Sequence, residues 1–241
     1  MSTQKYMHCI RVAGLTVGAL LLLLAPVAAA DDRWYEVQII VFEHRAGVST
    51  EEWPANPRAP DTANAQSLRG YAGQNRRVPF SLVQNPNNVL NDHWRRLDQS
   101  DNYRPLLRTG WIQPGQDRNN ARAVRIRDNE RIELDGSMGT RGFGGDGEES
   151  RRGPVYRLDG QITVSLGRFL HLRTDLAFAE ILDADQAPTV GEADSLRPGW
   201  LQADARLQRY VLQDSRRMRS NELHYIDHPR FGVIARIVPL D

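Results

Sequence analysis

Cysteine is almost missing from this 241-residue chain: Cys9 is the only one. No disulfide can therefore staple the fold, and past residue 9 no thiolate is available as a metal ligand or nucleophile. Lysine is just as scarce. Lys5 is the sole example, and every other Lys/Arg cation is an arginine. Apolar runs are also short. The longest ends at Leu24, and nothing after it approaches the roughly 20 residues that a membrane-spanning helix needs. Three motif absences narrow the chemistry. There is no Gly-x-Ser-x-Gly elbow for a nucleophilic serine. The glycines of residues 135–153 lack a phosphate-loop pattern, and no His-Glu-x-x-His zinc-protease motif occurs.

The first thirty residues have a different character from the rest. Lys5 and Arg11 supply a positive start, Val12 to Leu24 is apolar, Pro26 breaks the run, and Ala28-Ala29-Ala30 precedes Asp31-Asp32. This three-part pattern predicts a cleavable secretory signal over residues 1–30 and a mature protein from Asp31 in the periplasm. Cys9 precedes the apolar core, so it is not placed as a lipid-attachment site. The chain carries 31 Lys+Arg and 30 Asp+Glu; Lys5 and Arg11 leave with the signal and no acid does, so 29 cations face 30 anions. That balance argues against nucleic acid as a partner. No membrane span is expected after cleavage.

Residues 31–241 read as one α+β domain: an antiparallel sheet of five to six strands, one main helix and long irregular loops near 45–80, 135–153 and 184–200. Trp34 to Glu43 (WYEVQIIVFE) is apolar on both faces and predicts a central strand. Asn87 or Asn88 is placed to cap a helix running to about Gln99, with Leu90, Trp94 and Leu97 on one face. Leu106-Leu107 reads as a helical turn, Trp111-Ile112 as a short strand, and Ala123 to Ile132 as another strand. In residues 156–178 the even positions from Ile162 to Phe178 are apolar except for Arg168 and Thr174, so the alternation survives through Gly167-Arg168. A two-residue turn there would send Leu170 and Leu172 to the face opposite Leu166, so the alternation favours one long strand bent at Gly167. Arg206 to Tyr225 reads mainly as strand, Asp227 to Arg230 as a turn, and Phe231 to Pro239 as a last strand.

Few residues carry chemistry on their own. His224 and His228 are four apart but straddle a strand end and Pro229, which argues against a metal site. No metal or cofactor is expected. The arginines are more suggestive. Arg216, Arg217 and Arg219 cluster before Glu222, His224 and Tyr225, and Arg168 and Arg173 flank His171. If these two stretches are neighbours, they form a surface of guanidinium forks, imidazoles and a phenol. Such a surface suits a saccharide-rich polymer bearing carboxylates. A solvated face with internal ion pairs accounts for the same residues equally well.

The segments WYEVQIIVFE, LDGQITVSLGRFLHLRTDL and RRMRSNELHYIDHPRFGVIARI, with Leu90, Trp94 and Trp111 between them, resemble the CsiV-type periplasmic peptidoglycan-binding proteins. The resemblance implies a non-enzymatic protein whose ligand is peptidoglycan. It further implies help in envelope growth, with wall-synthesis proteins as further partners. It assigns no individual binding residue. Two other readings stay open: a scaffold or regulator that binds envelope proteins without touching the wall, and a hydrolase.

Overall fold

The structure, a computed structural model, describes residues 33–45, 57–71, 77–83, 88–132, 154–182 and 207–240. All of these belong to one compact unit spanning Arg33–Asp241. The expected signal segment and the expected loops at 135–153 and 184–200 lie outside the described residues, as does part of that at 45–80. In chain order the elements are β1 (Trp34–His44), β2 (Arg69–Tyr71), β3 (Ser81–Leu82), α1 (Asn88–Asp98), β4 (Tyr103–Pro114), β5 (Ala123–Arg127), β6 (Arg131–Ile132), β7 (Val155–Tyr156), β8 (Leu158–Leu166), β9 (Leu170–Ile181), β10 (Leu207–Met218), β11 (Leu223–His228) and β12 (Phe231–Leu240). Among the described residues no helix is long and apolar enough to cross a membrane.

Two sheets face each other. One has six strands in the order β11-β12-β1-β4-β3-β2; the other has four, β10-β9-β8-β5, all antiparallel. The pair β6-β7 forms a small ribbon. Among the described residues the class is broadly α+β, as expected, but mostly β, with one short helix and several largely antiparallel sheets where a single one was expected.

The central strand β1 explains the layering. Tyr35, Val37, Ile39 and Val41 on one side enter the core shared with Leu158, Ile162, Leu172, Leu176 and Phe178 of the second sheet. Ile40 and Phe42 on the other side pack under α1 with Leu90, Leu97 and Ile234, and Trp94 closes that cluster. The helix is held by the apolar stripe that its i, i+4, i+7 spacing predicts. Arg108 of β4 reinforces it, with its guanidinium 5.5 Å over the Trp94 ring and a hydrogen bond to the Asn91 side chain. Polar groups also cross between the sheets. Trp111 Nε1 donates to Gln113 Oε1 at 2.8 Å, and Gln113 Nε2 donates to the Val164 carbonyl at 3.2 Å.

Four expectations need correction. Residues 158–181 are not one bent strand but a hairpin, with Leu166 paired to Leu170 across a three-residue turn at 167–169. An odd-numbered turn preserves parity, so Val164 and Leu172 still share the inner face, as alternation required. Leu106-Leu107 is not helical; β4 runs unbroken for twelve residues along β1, with a bulge opposite Val41/Phe42. Pro105, which lacks a ladder donor, sits at that bulge, where proline is tolerated. The strand expected over 123–132 breaks at 128–130, where the buried Asp128 carboxyl accepts the Leu158 N–H at 3.2 Å. The stretch 206–225 divides at a turn carrying Asn221 in the left-handed region (φ 65°). Its two halves, β10 and β11, join different sheets.

Candidate functional site

On the outer face of the four-stranded sheet, odd-numbered positions of β8, β9 and β10 stand in rows. His171 lies between Ser165 and Arg217, Arg173 between Thr163 and Ser215, and Asp175 between Gln161 and Gln213. The alternation that buries Leu170, Leu172 and Leu176 also turns His171, Arg173 and Asp175 outward. Gln213 Nε2 donates to Asp175 Oδ1 at 2.9 Å. Gln161, Thr163, Arg173, Asp175, Gln213 and Ser215 border an open trough of about 670 Å³. At one end the Arg217 guanidinium lies 4.7 Å over the exposed Phe169 ring of the hairpin turn, where Arg168 is also exposed. At the other, Arg125 of β5 forks onto Asp159 with bonds of 3.1 and 2.7 Å. Among the described residues, no carboxylate lies within ion-pairing reach of Arg168, Arg173 or Arg217. The face therefore offers unpaired guanidinium forks within a fixed polar lattice.

The rest of the expected surface does not assemble there. Arg216 points toward the six-stranded sheet, donating to the Tyr225 carbonyl at 3.2 Å and to Asp214 at 3.1 Å. Arg219, Glu222 and His224 form a string along the turn, with Arg219–Glu222 at 3.5 Å and Glu222–His224 at 3.8 Å. His224 and Tyr225, being adjacent in a strand, face opposite sides of the sheet. The expected surface is thus divided by the turn at 219–222, which carries the chain from one sheet to the other. The face that remains is His171, Arg173 and Arg217, with Arg168 at its end.

Tyr225 belongs to a grouping that sequence reasoning missed. It lies on the helix side of the six-stranded sheet with Phe42, His44, Tyr103 and Asp227. The Phe42 ring stacks on Tyr225 (centroids 5.9 Å, 16°) and on His44 (5.4 Å, 24°), while Tyr103 meets Phe42 and His44 edge-on. Tyr225 Oη donates to Asp227 Oδ1 at 2.5 Å and lies 3.3 Å from His44 Nε2. Gly232 lies beneath the rings: a Cβ there would come within 2.8 Å of both Phe42 and Tyr225. Burial, reinforced by the bond to Asp227, pushes the Tyr225 phenol well above its ordinary pKa. Burial lowers the His44 imidazole against the pull of Asp227. The two-residue spacing of Tyr225 and Asp227 in a strand was a visible signal. Their union with His44 and Tyr103 depends on the pairing register.

A third region ties the sheets together at one end. Arg230 Nη2 donates to both Glu180 carboxylate oxygens at 2.7 and 2.6 Å, and Tyr210 Oη donates to the same carboxylate at 2.9 Å. Burial, with Glu180 beside it, pushes the Tyr210 phenol up to about 12. Glu130 joins Arg104 at 2.6 Å and Arg157 at 2.7 Å, with Glu43 within 4.0 Å of both arginines. Burial drives the neighbouring His228 imidazole down to about 4. Glu180 with Arg230, and Glu130 with Arg104 and Arg157, are thus internal ion pairs. His171 and His224 stand on different sheets and do not converge with an acid in a cleft. Among the described residues no group of three potential ligands is placed to hold a metal ion.

The family described as "Peptidoglycan-binding protein, CsiV" matches residues 15–240. No curated protein and no solved structure matches the chain.

Proposed function

Because the chain belongs to the CsiV family of peptidoglycan-binding proteins, we propose that it is a non-enzymatic, exported periplasmic protein that holds the wall polymer on the outer face of its four-stranded sheet. The observation carrying this reading is the set of guanidinium groups of Arg168, Arg173 and Arg217 around His171, which pair with no carboxylate among the described residues. Guanidinium forks match carboxylates in geometry as well as charge, and a carboxylate-bearing peptide stem is the group they would engage. Four strands spaced about 4.8 Å apart give a level surface about 14 Å across, which accommodates an extended polymer. In this reading the protein assists wall and envelope growth beside the enzymes that build the polymer, and residues 1–30 are removed on export.

The test is co-sedimentation of the chain from Asp31 with purified peptidoglycan sacculi. The wild type pellets with sacculi, and less so as salt rises, since exposed charges are screened. Arg173→Ala with Arg217→Ala weakens binding about fivefold to tenfold, the scale of two solvent-exposed ion pairs. No co-sedimentation at physiological salt would sink wall binding and favour a scaffold for envelope proteins. Unchanged co-sedimentation of the double variant would retire the arginine face. Intact mass of the exported protein checks removal of residues 1–30.

A further inference from the structure

From the packing on the helix side of the six-stranded sheet, we infer a second ligand site: the slab of Phe42, His44, Tyr103 and Tyr225, rimmed by Asp227, takes a neutral pyranose ring of an N-acetylated glycan. Tyr103 is 37% and Tyr225 44% exposed, on one face of the six-stranded sheet, where both rings contact the buried Phe42 ring between them. The rings are fixed before any ligand arrives. Phe42 is 3% exposed and anchors the stack, and Gly232 lets Tyr225 settle onto it. A flat ring held in this way meets the C–H face of a sugar with little conformational entropy left to lose.

The rim selects the class of ligand. Asp227 is 60% exposed and uses Oδ1 for the Tyr225 hydroxyl. Its remaining oxygen faces solvent as an acceptor for sugar hydroxyl or amide N–H groups. Its negative charge works against a carboxylate in the same place. The nearest guanidinium on that turn, Arg230, is committed to Glu180. The slab thus suits the uncharged saccharide backbone, and the arginine face suits carboxylates, on different surfaces of the molecule.

This inference rests on the wall-polymer reading only for the choice of sugar, so the two are tested side by side. Calorimetric titration of the chain from Asp31 with the β-1,4-linked hexamer of N-acetylglucosamine should show binding. Tyr225→Ala should weaken it about tenfold, while Arg173→Ala with Arg217→Ala leaves it unchanged. NMR shifts of the His44 and Tyr103 rings on adding the hexamer locate the site even where Tyr225→Ala perturbs folding. Sacculi bound without any hexamer binding would overturn the slab assignment and leave the wall reading intact. Hexamer binding without sacculus binding would do the reverse. Hexamer binding that survives Tyr225→Ala in a folded protein, or that leaves the His44 and Tyr103 signals unmoved, would also overturn it.

Discussion

Asp128→Asn is expected to stabilise the protein at neutral pH and hardly at all in acid. The Asp128 side chain is buried, and only 6% of the residue is exposed where β5 ends against β8. Burial raises its pKa from 3.8 to about 6; Glu130 adds to the shift, and the Leu158 N–H opposes it. The folded-state value lies above the unfolded one. The contribution of Asp128 is therefore least unfavourable below pH 3.8 and worsens until pH passes about 6. At pH 7.5 the ionised carboxylate costs about 3 kcal/mol relative to an unshifted one, at about 1.4 kcal/mol per tenfold change. An asparagine keeps an acceptor for Leu158 but brings an N–H₂ that needs a partner. A net gain of about 1–2 kcal/mol is expected, or a rise in Tm of about 3–6 °C for a domain of this size. Thermal melts at pH 7.5 and pH 4 decide the matter: the gain should be mostly lost at pH 4. An equal rise at both values, or none at pH 7.5, refutes the burial argument.

His228 should act in the opposite sense. Its folded-state pKa is held near 4 by burial, below the ordinary 6.5, so stability is lost as pH falls between those values. His228→Phe, packed against Tyr210 and Phe231, should remove that loss, seen as a smaller Tm drop from pH 7 to pH 4.5. Gly160→Ala should unfold the protein or lower its stability by about 3 kcal/mol or more in urea titration: φ is +155° and the added Cβ would sit 2.3 Å from the Asp175 carbonyl oxygen. Glu180→Ala should cost about 2–3 kcal/mol by the same measurement, because it removes the carboxylate that both Arg230 and the Tyr210 hydroxyl bond. Leu172→Ala, in the shared core, should cost about 2–5 kcal/mol.

The parts of the fold legible in the sequence are those where a single chain segment carries its own period. WYEVQIIVFE is apolar on both faces because it is covered on both faces, by α1 and by the second sheet. Leu90, Trp94 and Leu97 mark a helix stripe whatever lies beneath it. The 158–181 hairpin was hidden by parity. A continuous strand and a hairpin with three turn residues place the same even positions inward, so alternation alone cannot choose between them. Gly167 marked the break correctly without giving its geometry. Sheet membership was illegible for a related reason: the turn at 219–222 diverts the chain through Asn221, and nothing in periodicity says that β10 and β11 part company there. That is why Arg217 lands beside His171 and Arg173 while His224 and Tyr225 stand on the other sheet. The aromatic slab depends on His44 facing Tyr103 across a bulged ladder, a register that Pro105 and Leu106 disguise as a local turn.

The ladder between the first and last strands also works as a ruler. Trp34 pairs with Leu240 at one end of β1, and Glu43 with Phe231 at the other. Both ends of the described chain therefore leave the sheet side by side. His44 and the rings around it lie ten residue steps away, about 33 Å at strand spacing. A fluorophore or an affinity handle attached at either end would stand clear of the slab, whereas one inserted between Asp227 and Phe231 would sit beside it. Two labels placed at the paired ends would report separation of β1 from β12 directly, as a change in energy transfer, without touching the slab.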